Sequence, residues 1–289
     1  MIIGRTGLRR ALFYRKGISM ELGISTASIF TNAEPMAVPA ILGRMGVKKI
    51  EVFLNTFSEY ELDFARALKA HIDDAGLSAY SVHPMSVQFE AQLFSSHPGQ
   101  KKDAFALYEK VLTAASILGA THYTMHGALH LLGGAGAVRN HRLEKLAKVF
   151  KELLDIAEDN GIRLCLENVS WCFYNCPETA LALRQMLGDR RLQFVLDIKQ
   201  AARCGQDPFG FIEAVGEDMG NIHLCDYISG SQGLQLKLPG EGTFPFAAMK
   251  RALEKKGYTG PAFIEVYSDM YESFDRLQAS YQWLKGQLA

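Results

Sequence analysis

Four apolar runs in the second half of the chain end in side chains able to bind a metal or move a proton: Glu167, Asp197, His223 and Glu265. The runs are Arg163-Leu-Cys-Leu-Glu167, Gln193-Phe-Val-Leu-Asp197, Asn221-Ile-His223 and Pro261-Ala-Phe-Ile-Glu265. A charge at the end of a buried strand is costly unless it is paired or ligates a metal. Strand ends recurring at such intervals are expected to deliver their side chains to one point. Three carboxylates and one imidazole form a hard, oxygen-rich donor set. It suits one divalent ion, with Mn²⁺, Mg²⁺ or Co²⁺ favoured and Zn²⁺ also accommodated.

Further candidates surround this set. His83, in Ser-Val-His-Pro, and His126, in Thr-Met-His-Gly, close two earlier runs. Lys199 lies two residues past Asp197, where a strand period of two would point it at the same cavity. Glu51 follows Lys49-Ile50, and is expected either to hydrogen-bond substrate or to form a salt bridge at the rim. Trp171 follows Glu167-Asn-Val-Ser in a loop, where an aromatic ring could cover the cavity as a lid or pack on Phe173. Asp226, three residues past His223, is expected to orient that ligand or contact substrate. Asn168 is expected to orient Glu167.

The elements that must position these residues follow from the hydrophobic pattern. Eight short apolar runs read as strands: 21–25, 49–54, 78–83, 122–126, 163–167, 193–197, 221–225 and 262–266. Helical patterns over 61–75, 102–118, 143–160 and 246–256 each stop at a glycine, the expected cap. Shorter helices fit 36–44, 177–187 and 209–215, and a last one fits 274–288. This alternation predicts an α/β protein, a (β/α)₈ TIM barrel in a single domain over residues 20–289. A doubly wound sheet would place a glycine-rich turn after its first strand. Thr-Ala-Ser-Ile-Phe follows Ser25 instead. Gly133-Gly134-Ala-Gly136 lacks the Lys-Ser/Thr of a P-loop and reads as a loop or lid. Residues 1–19 carry Arg5, Arg9, Arg10, Arg15 and Lys16 with no acid, and read as a basic arm outside the core.

Of 289 residues, 48% are hydrophobic, enough for a large core, and 31 basic residues balance 31 acidic ones. No overall positive field therefore invites nucleic acid or anionic membrane. No apolar run approaches the roughly 20 residues of a membrane span. Five scattered cysteines lack the paired spacing of a zinc knuckle, which favours reduced thiols in a cytoplasmic enzyme.

Leu166-Glu-Asn168, Leu196-Asp197, His223-Leu-Cys-Asp226, Gly240-Glu-Gly242 and Ile264-Glu265 together resemble the xylose isomerase-like barrel superfamily. That group holds sugar-phosphate isomerases and epimerases, ketose 3-epimerases and endonuclease IV-type repair enzymes. The resemblance covers Met20 to the C-terminus. It implies that Glu167, Asp197, His223 and Glu265 are metal ligands, and that Glu167 and Glu265 exchange protons with a sugar carbon through a cis-enediolate. It also implies that His83 and His126 contact substrate, or hold extra zinc as in the repair enzymes. Homo-oligomers are expected by the same analogy.

The chain departs from this pattern at Gln200, where many relatives carry a histidine three residues after the strand-six aspartate. Leu234-Gln-Leu-Lys-Leu-Pro239 likewise lacks the Asp and His that precede the Gly-x-Gly loop in repair enzymes. Losing three ligands removes the basis for a trinuclear zinc cluster, so endonuclease activity is not expected. Gln200 is retained as a substrate contact. The expectation is an isomerase or epimerase of a small sugar-like carbonyl compound. The alternatives are a metal-dependent dehydratase of inosose or dehydroshikimate type, and a metal-binding barrel without catalysis.

Overall fold

The computed structural model describes residues 20–130 and 137–289. The basic arm and the Gly133–Gly136 segment lie outside the described residues. In chain order the elements are β1 (Leu22–Ser25), α1 (Val38–Arg44), β2 (Lys49–Leu54), α2 (Leu62–Asp74), β3 (Ser78–Pro84), α3 (Glu90–Leu93), α4 (Pro98–Leu118), β4 (His122–Met125) and α5 (Ala137–Asp159). There follow β5 (Arg163–Glu167), α6 (Pro177–Leu187), β6 (Gln193–Asp197), α7 (Ile198–Arg203), α8 (Pro208–Val215), β7 (Met219–Leu224), β8 (Asp226–Gly230), β9 (Gly233–Lys237), α9 (Phe246–Lys255), β10 (Ala262–Ile264) and α10 (Phe274–Leu288).

Eight of these strands close a parallel barrel in the order β1-β10-β7-β6-β5-β4-β3-β2. The strands are buried on both faces, which is why they read as continuous apolar runs rather than alternating ones. The helices cover the barrel with single apolar stripes. In α2 the stripe is Ala65, Leu68 and Ile72, spaced one turn apart. Helix α4 ends at Gly119, whose φ of 77° is the left-handed conformation that a Cβ disfavours.

Two features were not anticipated from the sequence. Asp226–Gly230 and Gly233–Lys237 pair as an antiparallel hairpin outside the barrel. Asp197 does not lead into an extended loop. It caps α7, with its Oδ1 accepting from Gln200 N at 3.0 Å. Lys199 therefore sits in a helical first turn, not at a strand position.

Candidate active site

The ends of β5, β6, β7 and β10 converge. Glu167, Asp197, His223 and Glu265 are all buried, and each offers a donor atom within 4.8 Å of the others. His223 Nδ1 lies 3.3 Å from Glu167 Oε1 and 3.2 Å from Glu265 Oε2. Donors about 2.1 Å from a common ion stand roughly 3.0–3.5 Å apart, so these separations fit a divalent metal. Glu167 and Glu265 come from strands separated by β6 and β7 around the wall. All five cysteines are free, and none belongs to the cluster.

His83 and His126 join the same group. His83 Nδ1 is 3.3 Å from Glu265 Oε1, and His126 Nε2 is 3.0 Å from Glu167 Oε2. The two imidazoles meet through their Nε2 atoms at 3.0 Å. His126 is set in place by a residue the sequence reading missed. Buried Glu90, on α3, accepts from the backbone N–H groups of His126 and Gly127 and from Tyr123 Oη. Its only sequence signal was a carboxylate in an apolar stretch between β3 and α4.

Lys199 reaches back from α7 to the cluster and is buried there. Its ammonium donates to Asp197 Oδ2 and, at 2.6 Å, to Glu265 Oε2. Tyr267 stands over it, with Arg203 donating to the phenol oxygen at 2.6 Å. Gln200 is buried beside it, and its Oε1 accepts from Ser170 N at 3.3 Å. Trp171 is 41% exposed and meets the His126 ring edge-on at 5.8 Å, so it forms part of the rim.

Charge is distributed accordingly. Burial opposes protonation of His83, but the facing carboxylates of Glu265, Glu51 and Glu167 outweigh it and push the imidazole up to about 10. Burial likewise opposes a charged His223, and the carboxylates of Glu265, Glu51 and Glu167 overcome it. Asp197 is pushed up to about 6 by burial, which the Lys199 ammonium offsets only in part. Glu265 is held low despite its burial, by His223 and Lys199.

Three expectations need correction. Glu51 is fully buried in the middle of β2, away from the rim. Its Oε2 accepts from Ser81, Thr124 and Asn221, beneath His223. Asp226 neither orients His223 nor faces the cavity. Its carboxylate accepts from the backbone N–H groups of Tyr227, Gly240, Gly242 and Phe244. The Gly240-Glu-Gly242 motif thus wraps a carboxylate, and a Cβ at Gly242 would come within 2.3 Å of Asp226 Oδ1. Asn168 exchanges hydrogen bonds with the backbone of Asp197, at 2.6 and 2.9 Å, and so braces β6 rather than the Glu167 side chain.

Beside the cluster lies a cleft of ≈ 510 Å³, lined by Phe30, Asn32, Val38, Phe53, Asn55 and Phe64 among others. Phe53 is the shared wall, packed edge-on against His83 at 5.4 Å.

The fold and the site define a TIM barrel with an acid–imidazole centre at the C-terminal ends of its strands. A family model of xylose isomerase-like TIM barrels matches residues 40–287, and the chain belongs to that family. No curated protein matches the chain by sequence. Among solved structures, the barrel is similar to D-psicose 3-epimerase with D-tagatose from Clostridium cellulolyticum H10. The TM-score is 0.75 at 19% identity, covering 93% of this chain and 99% of that one. It is similar to the IOLI protein with a binding zinc atom, with a TM-score of 0.75, 17% identity, and 93% and 98% of the two chains covered. It also resembles 3-keto-D-glucoside 4-epimerase from E. coli, with a TM-score of 0.73, 15% identity, and coverage of 92% and 99%. Among the described residues, no helix is long and apolar enough to cross a membrane.

Proposed function

We propose that this chain is a divalent-metal-dependent isomerase or epimerase of a small sugar, sugar phosphate or related polyhydroxy carbonyl compound. The observation that carries the reading is the pair of buried glutamates, Glu167 and Glu265, sharing one donor set with Asp197 and His223 while projecting from separated strands. When bound, a divalent ion supplies Lewis acidity that makes the C–H beside a carbonyl easier to ionise.

The chain's own residues do the rest. Glu167 and Glu265 approach from different parts of the wall, so one removes the proton and the other returns it to the opposite face of a cis-enediolate. His83 and His126 present imidazole N–H groups to substrate oxygens, and Gln200 adds a neutral contact. The Lys199 ammonium, held by Asp197 and Glu265, balances the negative charge that develops near them. Trp171 offers an apolar face at the rim. The similarity to sugar epimerases supports the substrate class.

Lys199 also favours a second reading. A buried ammonium beside Glu265 is a proton donor for a departing β-hydroxyl, as a dehydratase needs. One experiment separates the readings: each member of a ketose and inosose panel is incubated in D₂O with the metal-loaded protein. Deuterium uptake at the carbon beside the carbonyl, without loss of water, is the expected result. Uptake with dehydration assigns the chain to the lyases. No exchange with metal bound leaves a binding barrel.

A further inference from the structure

Glu51 is wholly buried at the centre, and its two oxygens have different surroundings. Oε2 accepts from Ser81 Oγ, Thr124 Oγ1 and Asn221 Nδ2, each at 2.8 Å. The Asn221 amide is fixed in that orientation because its Oδ1 accepts from Ile222 N at 2.7 Å, and its Nδ2, turned to Oε2 at 2.8 Å, also lies 3.3 Å from His223 Nε2. Oε1 is buried and accepts no hydrogen bond in this structure. It lies 3.0 Å from His223 Nε2 and 3.6 Å from His83 Nδ1. The other nitrogen of His223, Nδ1, faces Glu167 and Glu265.

We infer that Glu51 is a positioning residue for the metal centre: its Oε1 holds the Nε2 proton of His223, so that Nδ1 is the nitrogen presented to a divalent ion. This rests on the metal-dependent reading above. A metal-ligating histidine is commonly oriented by a carboxylate on its far nitrogen, and losing that partner typically costs about 10–100-fold in metal affinity. Three neutral donors commit Oε2, so only Oε1 is left to take the imidazole proton. The polar residues Ser81, Thr124 and Asn221, buried in the barrel wall, thereby acquire a purpose. They select which carboxylate oxygen is free.

The same donors make Glu51→Gln a sharp test. They select the amide carbonyl oxygen of the new side chain and turn its NH₂ toward His223 Nε2. That nitrogen must then accept, and the proton moves to Nδ1, which blocks the ion. Co²⁺ affinity is measured by visible absorption and calorimetry on the full chain. The Zn²⁺-loaded protein is examined by ¹⁵N NMR of its histidines. In wild type, His223 is expected to keep a protonated Nε2 with Nδ1 on the metal. In Glu51→Gln, Co²⁺ binding is expected to weaken by about 10–100-fold while the circular dichroism spectrum is retained.

A wild-type protein whose His223 binds Zn²⁺ through Nε2 overturns the inference without recourse to any variant. So does a folded Glu51→Gln protein with unchanged Co²⁺ affinity. If wild type binds neither ion, the metal-dependent reading itself falls, and this inference falls with it.

Discussion

Two histidines on neighbouring strands of the barrel have opposite surroundings. His122 opens β4 at the N-terminal end of the barrel. Its ring stacks on Tyr80 at 4.2 Å, with Nε2 3.2 Å from the Tyr80 hydroxyl and Nδ1 2.8 Å from Thr121 Oγ1. Burial, reinforced by the charge of Arg163, pushes it down to about 4, so it is neutral. His83, near the end of β3, is equally enclosed but meets carboxylates, and is pushed up to about 10. Burial opposes charge in both cases, and the partners decide the outcome. At one end a neutral imidazole and phenol are stacked and hydrogen-bonded, with the cations of Lys49 and Arg163 nearby. The other is a charged centre held together by mutual compensation, which is the arrangement a catalytic site needs.

The sharpest way to test this contrast is to neutralise the charged end. Glu265→Gln is expected to retain the fold and much of the metal affinity while turnover falls by about 10²–10⁴, the usual worth of general acid–base catalysis. Turnover and thermal unfolding are measured together, and near-normal activity in the variant would sink the two-glutamate mechanism.

The neutral end has its own signature in pH. Folding disfavours the protonated His122 ring, so its contribution is complete above the ordinary value of 6.5 and disappears as pH falls to about 4. That window corresponds to about 3 kcal/mol. Denaturant midpoints for wild type and His122→Gln, compared at pH 7.5 and 4.5, are expected to show a shallower pH dependence in the variant. Equal slopes would remove His122 from the explanation.

Chelation comes next in size. An ion present at about 100 times its dissociation constant stabilises the fold by about 2.7 kcal/mol. Stripping it should lower the melting temperature, and amide exchange should rise at the ends of β5, β7 and β10 but not around Tyr80 and His122. Uniform exchange over the barrel would mean that the two ends are not independent. The smallest effect belongs to the rim. Trp171→Ala is expected to raise KM by about 5-fold or less, equivalent to about 1 kcal/mol, with kcat and metal affinity unchanged. A comparable loss in kcat would move Trp171 from the rim to the chemistry.

Much of the barrel was legible because local rules and global fold agree. Lys49–Leu54, Arg163–Glu167 and Gln193–Asp197 are strands with the expected bounds, since parallel strands covered on both faces must be apolar throughout. The acid–imidazole cluster was legible because a carboxylate or imidazole ending such a run has few structural reasons to be there. The hairpin at Asp226–Lys237 was not legible: it is half exposed and packs too little to impose an apolar pattern.

The sequence by itself determined the eight-fold alternation, the convergence of Glu167, Asp197, His223 and Glu265, and the departure at Gln200. Only the tertiary structure decided what each remaining polar residue faces. Glu51 proved to lie beneath His223 rather than at the rim, Asp226 to bind a loop backbone, and Lys199 to enter the site from a helix capped by Asp197. The physical reason is that apolar patterning reports which face of an element is buried. The partner of a buried polar group can be a backbone or side-chain group far off in sequence, as with the Gly240 N–H for Asp226, 14 residues away, and the Asn221 amide for Glu51, 170 residues away, and no local pattern encodes that distance.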